Sequence, residues 1–156
     1  WRLDVLGDGP LRDALAARAN RLGIADKVCW HGIVADTGAY YRQATIFALP
    51  SRYEGTPNAL LEAMAHGLAV IVSDASPGPL ELVEDAVSGL VVPTEDATAL
   101  AAAIARLAES SEECQRLGSA ARARVAAMTP DKVLAAWDSA LGAESLGLVS
   151  VQSPAR

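Results

Sequence analysis

Apolar positions along the chain switch between two periods, and the switches divide it into strands and helices. Short apolar runs stand at Trp1 to Leu6, Val28-Cys29-Trp30, Ile46 to Leu49, Leu68 to Val72 and Gly89 to Val92. Gly7, Gly32, Pro50 and Pro93 close four of them. Leu68 to Val72 has no polar position, the mark of a strand covered on both faces. Between the runs, apolar residues recur at helical spacing. Leu11, Leu15, Ala19 and Leu22 predict a helix opened by Pro10 and closed by Gly23. Asp36 predicts the N-cap of a short helix carrying Tyr40 and Tyr41. Residues 58–66 predict a helix that stops at Gly67. Ser76-Pro77-Gly78-Pro79 reads as a loop, followed by a short helix through Leu82 and Val83 with Glu81 in its first turn. Asp96 caps a helix with Leu100, Ile104 and Leu107 on one face, and two more helices follow near 111–127 and 130–141, the second started by Pro130. The period is lost over 143–156, which reads as a tail to a single domain of 1–142.

Short buried strands alternating with helices predict an α/β fold with a mostly parallel sheet and flanking helices. In such sheets ligands bind beyond the carboxyl ends of the strands, so the loops of interest are 7–10, 31–36, 50–58 and 74–79. Composition narrows the reading further. The 156 residues are 51% hydrophobic and 21% charged, which suits one folded domain, and the net charge of −6 argues against a nucleic-acid partner. No apolar run reaches the ~18 residues of a membrane span. Two cysteines, Cys29 and Cys114, make no disulfide framework and read as reduced packing residues in a cytosolic-type protein.

Several isolated features have plain structural readings. Gly7 and Gly9 begin a dinucleotide fingerprint, but its third glycine would fall where Arg12 stands, so a tight turn is expected and a dinucleotide cofactor is not. His31 and His66 have no metal-ligating partner at useful spacing, so both read as structural and no metal site is expected. Arg42 and Arg52 read as surface residues, Ser51 as a turn residue, and Trp30 and Trp137 as core or domain-interface anchors.

The densest stretch runs from Pro50 to Gly67, Pro-Ser-Arg-Tyr-Glu-Gly-Thr-Pro-Asn-Ala-Leu-Leu-Glu-Ala-Met-Ala-His-Gly. It leaves the end of a strand and enters a helix. A helix start offers unpaired backbone N–H groups and the positive end of the dipole, and so an anion site. Pro57 cannot donate, which leaves Thr56, Asn58, Ala59 and Leu60, while Gly55 permits close backbone approach. Glu62 lies one turn further on, about 6 Å of rise past Asn58, where it would meet a vicinal diol beside the anion rather than the anion itself. Glu54 stands on the other side. The layout suits a nucleotide sugar. The spacing of the two carboxylates alone carries nothing in a chain with nine glutamates.

The full string resembles the signature of GT-B-fold retaining glycosyltransferases, most closely glycosyltransferase family 4 (glycosyl transferases group 1). Leu6-Gly7-Asp8-Gly9-Pro10, His31-Gly32-Ile33-Val34, Ser73-Asp74 and Gly89 to Pro93 agree with it, and the resemblance covers roughly 1–140. It implies the Rossmann-like carboxyl-terminal, donor-binding domain of such an enzyme. In that reading Glu54 is the catalytic-site carboxylate that contacts the sugar. Gly55, Thr56, Asn58, Ala59 and Leu60 hold sugar and diphosphate. Glu62 binds the ribose, and Ile33 and Val34 meet the base. The donor would be a nucleotide diphosphate sugar such as a UDP- or GDP-sugar. The resemblance implies metal-independent chemistry and no cofactor. Other GT-B activities (an epimerase or a phosphorylase), a non-catalytic nucleotide-binding module and a purely structural α/β domain are the alternatives.

The resemblance also sets expectations about what the chain lacks. Trp1 in place of Met suggests a fragment or processed chain. The family's amino-terminal domain, which supplies the acceptor pocket, and the first, central strand of the second domain with its basic residues would be missing. The gap would be met by another chain, by direct pairing of the flanking strands, or by the missing segment itself. The acceptor is left open, the isolated chain is expected to be inactive, and any peripheral membrane association would run through the absent domain. The expected location is the cytoplasm, at the inner membrane surface if that domain docks there.

Overall fold

The computed structural model describes residues 1–141; the expected tail, 143–156, lies outside them. The chain divides into two compact units, Trp1–Ala44 and Thr45 onward. The first holds β1 (Leu3–Leu6), α1 (Arg12–Arg21), a single 3-10 turn at Ala25–Lys27, β2 (Val28–Gly32) and α2 (Gly38–Tyr41). The second holds β3 (Ile46–Leu49), α3 (Asn58–Ala65), β4 (Ala69–Ser73), α4 (Pro77–Leu82), β5 (Leu90–Val92), α5 (Ala97–Glu109), α6 (Ser111–Ala126) and α7 (Pro130–Leu141). All strand pairs are parallel: β1 with β2, and β3 with β4 with β5. Among the described residues the strands form two sheets, one in each unit. No helix of the described residues is long and apolar enough to cross a membrane.

In the first unit Leu3 pairs with Val28, Asp4 with Cys29 and Val5 with Trp30. Gly7 has φ +111 and donates to the Gly32 carbonyl at 2.7 Å, so the expected tight turn is present. Asp36 accepts from the Ala39 amide at 3.2 Å and so fulfils its capping role, one residue earlier than the geometric cap Thr37. The apolar face predicted for α1 is mostly uncovered: Ala19 is buried, but Leu11, Leu15 and Leu22 are exposed. Periodicity located the helix without telling how much of its face is packed.

The second unit is built around β4. Its five residues are all buried, as the unbroken apolar run predicted. Ala69 and Ile71 join Leu90, Val92, Ala103, Leu107, Cys114 and Leu117 in one core cluster. A buried Ile of this kind contributes about 1.5–3 kcal/mol through removal of apolar area from water. Helix α3 turns Leu60, Ala63 and Met64 inward at i, i+3 and i+4. Asp96 caps α5 by accepting from the Ala99 amide at 2.9 Å. Of the predicted stripe on α5, Leu107 is buried and Leu100 packs against the core, whereas Ile104 is 39% exposed and Ala103 takes the inward place. Cys114 is buried and its thiol donates to the Leu107 carbonyl; Cys29 is half-buried, and both are free. Trp137 is 61% exposed on α7, so it is no core anchor within this unit.

Two differences from the expected boundaries have backbone causes. Helix α4 begins at Pro77, not after Pro79, because prolines in a first turn lose no intrahelical bond. Glu81 therefore sits near the end of α4, not in its first turn, and its carbonyl accepts from Arg124 at 2.9 Å. At the end of β4, Asp74 accepts from both the amide and the hydroxyl of Thr94, at 2.7 and 2.8 Å. These bonds hold the Asp74 carboxyl below its ordinary range.

Helix α6 lies directly on the turn between α3 and β4. A Cβ on Gly118 would stand 2.0 Å from the Gly67 carbonyl oxygen, and Gly67 itself has φ +76. We expect Gly118→Ala to destabilise the chain in urea titration by about 1–3 kcal/mol from overpacking, against the about 1 kcal/mol that alanine gains over glycine in a helix. A more stable variant would contradict this close packing. For Asp74 the folded pKa is the lower one, so its stabilisation is present above the unfolded pKa and lost as pH falls through the folded one. The melting-temperature gap between the parent and Asp74→Asn should then be open near neutral pH and close below about pH 4.

Candidate functional site

The Pro50–Gly67 string folds as a loop that leaves β3 and feeds α3, at the carboxyl end of the strands, where an α/β sheet presents its ligands. Its shape is set by three serines. The Ser73 hydroxyl donates to the Ser51 carbonyl. The Ser51 hydroxyl donates to Glu54 Oε1 at 2.7 Å. The Ser76 hydroxyl donates to the Glu54 carbonyl at 2.9 Å and accepts from the Glu54 amide at 3.0 Å. Glu54 is thus gripped through both backbone polar groups and one carboxylate oxygen. Ser51, expected only as a turn residue, positions the carboxylate. Ser76 was not singled out from sequence; the signal available was a serine at the head of a Pro-Gly-Pro stretch.

Glycine makes the grip possible. A Cβ on Gly78 would lie 1.6 Å from the Gly55 carbonyl oxygen, so two backbones touch where α4 meets the loop. Beyond Gly55 the chain reaches Pro57, which is buried and extended (φ −78, ψ 94) and accepts from the Leu60 and Leu61 amides at 3.0 and 3.2 Å. This removes Leu60 from the expected set of anion donors: its N–H is paired and its side chain is fully buried in the core. The Thr56 and Asn58 amides have no protein partner among the described residues. Thr56, Asn58 and Ala59 are exposed at the start of α3, and Glu62 is exposed one turn along it.

Ile33, 88% exposed, and half-buried Val34 follow Gly32 at the carboxyl end of β2, in the first unit. Arg52 forms an ion pair with Glu95 at 2.6 Å, and Arg42 pairs with Asp36 at 3.5 Å. His66 caps α3 with its ring on the Glu62 carbonyl at 2.8 Å, the structural role expected. His31, too, is held by hydrogen bonds, to Asp4 and Tyr40. Its Nε2 lies 2.7 Å from Asp4 Oδ1, and Asp4, Cys29 and His31 bring their ligating atoms within 4.8 Å of one another. Linear spacing could not reveal this, because parallel pairing joins residues 27 apart. The Asp4 carboxyl is held below its ordinary range, first by the bond to His31 and then by Arg2.

The grip on Glu54 yields a prediction. Ser76 is buried, so Ser76→Ala leaves the Glu54 amide and carbonyl without their partner and should cost about 1–3 kcal/mol in chemical denaturation. Gly78→Ala should displace the Gly55 carbonyl, read as a shifted loop in a crystal structure of the variant. An unmoved loop would contradict the contact.

Comparison with known proteins agrees with this geometry. The profile of "Glycosyl transferases group 1" matches residues 1–124. The chain is 46% identical over 92 residues to the amylovoran biosynthesis glycosyltransferase AmsK of Erwinia amylovora, covering 55% of this chain and 22% of that protein. Among solved structures it resembles sucrose-phosphate synthase from Thermosynechococcus elongatus, with TM-score 0.79 and 28% identity over 95% of this chain and 39% of the other. It also resembles Anabaena HepE in complex with UDP-glucose, with TM-score 0.74 and 26% identity over 80% of this chain and 35% of that one. The chain spans about a quarter or less of the length of the first curated relatives it matches. The fold that carries the Glu54 loop is thus that of glycosyltransferases, and the chain belongs to the glycosyl transferases group 1 family.

Proposed function

We propose that this chain is the donor-binding part of a retaining glycosyltransferase of the family 4 kind, its carboxyl-terminal domain, which moves a sugar from a nucleotide diphosphate sugar to an acceptor. The observation that carries the reading is the loop around Glu54: a carboxylate fixed by Ser51 and Ser76, followed at once by the exposed start of α3. The similar Anabaena protein in complex with UDP-glucose supports a nucleoside diphosphate sugar as the ligand class.

The chemistry follows from the charges. Loss of the sugar leaves a growing negative charge on the diphosphate. The amides of Thr56 and Asn58 and the positive end of α3, where Ala59 follows, would stabilise it, which is electrostatic catalysis by fixed dipoles. Leu60 has no part in this, since its amide is already bonded to Pro57. Glu54, its carboxylate oxygen Oε1 already held by Ser51, has the other oxygen to offer a sugar hydroxyl and would orient the sugar for transfer. Glu62 would accept from the two ribose hydroxyls. Ile33 and Val34 would meet the base. No metal is assigned to the transfer step, because the positive end of α3 supplies the potential that the growing charge needs. The acceptor is left unassigned.

Calorimetric titration of the chain with UDP, GDP and ADP tests the reading, with Glu62→Ala alongside and circular dichroism to confirm folding. We expect one nucleotide to bind, and Glu62→Ala to weaken it by roughly tenfold or more, the loss of a hydrogen bond to a charged group. Equal affinity of parent and variant would remove Glu62 from the ribose site. No nucleotide bound by the folded chain would sink the donor-site reading.

A further inference from the structure

We propose that Asp4, Cys29 and His31 form a binding site for a thiophilic divalent cation of the zinc class on one face of the β1–β2 pair. Three observations converge on it. Asp4 and Cys29 are registered partners in the parallel ladder, and His31 is the extra residue where the register shifts, between the Val5–Trp30 and Leu6–Gly32 pairs, with its ring turned onto Asp4. Their ligating atoms already lie within 4.8 Å of one another, with His31 Nε2 2.7 Å from Asp4 Oδ1. Bond lengths to a tetrahedral zinc place its ligand atoms roughly 3.3–3.6 Å apart, so side-chain rotation suffices to seat the ion.

The donor set and its surroundings suit that cation. Thiolate, imidazole and carboxylate together are zinc ligands, whereas magnesium and calcium take oxygen alone. Arg2 Nε holds Asp4 Oδ2 at 3.0 Å and leaves Oδ1 to face the ion. Tyr40 Oη lies 3.3 Å from His31 Nδ1, and the two rings stand 4.7 Å apart. With Nδ1–H donating to Tyr40, Nε2 presents its lone pair to the metal, the outer-shell support that ligating histidines use. On binding, Cys29 releases its thiol proton to solvent, the proton that His31 Nε2 shares with Asp4 is exchanged through solvent to Nδ1, and the contact between His31 and Asp4 gives way to one metal bond from each. Three protein ligands leave a fourth position for water. The unit that carries the site gains most from such a clamp. Its sheet has two strands, and Ala19 and Tyr41 are its buried apolar residues; two-stranded pairs are marginal by themselves.

The test needs no nucleotide and is independent of the donor-site reading. Cobalt(II) is titrated into the reduced 156-residue chain and followed by absorption. The expected result is a thiolate-to-cobalt charge-transfer band with tetrahedral visible bands, displaced by zinc. Cys29→Ser should abolish the charge-transfer band, Cys114→Ser should keep it, and Asp4→Asn and His31→Ala should each weaken affinity about tenfold or more. Absence of the band, or its survival in Cys29→Ser, overturns the proposal. Should Cys29→Ser fail to fold by circular dichroism, alkylation of the parent chain decides: zinc should protect Cys29 from iodoacetamide in peptide mass analysis, and equal labelling with and without zinc overturns the site.

Discussion

Everything in the larger unit hangs on a strand that water does not reach on either face. Because β4 is buried along its whole length, its two ends are fixed points, and what is attached to them inherits the same fixity. At its entrance the Gly67 turn carries α3 on one side and receives Gly118 of α6 on the other. At its exit Ser73, Asp74 and Ser76 follow within four residues, and each binds a neighbouring segment: Ser73 the carbonyl of Ser51, Asp74 the backbone of Thr94, Ser76 the backbone of Glu54. The hydrophobic effect fixes the strand, and hydrogen bonds from its exit carry that position into the loop.

This arrangement explains how a short exposed loop can hold one carboxylate in place. A loop of ordinary polar residues would sample many conformations at a cost of roughly 1–2 kcal/mol of backbone entropy per residue ordered. Here Glu54 is bonded through its amide, its carbonyl and a carboxylate oxygen, while Pro57 restricts the next turn and starts α3 with two amides on its own carbonyl. The helix that offers its amino-terminal dipole and the carboxylate beside it are therefore positioned by the same strand. In the proposed reaction these are the two elements whose separation has to be kept, since one meets the diphosphate and the other the sugar.

Much of this was legible in the chain before folding, for physical reasons that differ from residue to residue. Leu68 to Val72 declared a two-sided burial because no polar group interrupts it, and Ile46–Leu49 and Asp96 appeared where pattern and capping chemistry put them. The order Glu54, Gly55, Thr56, Pro57, Asn58 marked the loop, and the structure kept it contiguous. What could not be read was pairing in space. Ser76 reaches Glu54 across 22 residues, and Asp4 reaches His31 across 27; no period or spacing rule spans such distances. Leu60 was misjudged because the amide count at a helix start ignores a carbonyl folded back from Pro57. How much of α1 is covered could not be read either, because period gives a stripe but not its cover.

The bare contact of Gly55 with Gly78 has a consequence for how such a loop can change over generations. Two backbones in touch leave no slack, so a residue inserted near Gly55 would have to be taken up elsewhere, and α4 would lose its seat. The exchangeable part is the outward pair Arg52 and Tyr53, both exposed and neither among the residues that Ser73 and Ser76 grip. A lineage that altered what it accepts beside Glu54 would do so by swapping these side chains on an unchanged frame, in the way a tool is re-tipped rather than rebuilt.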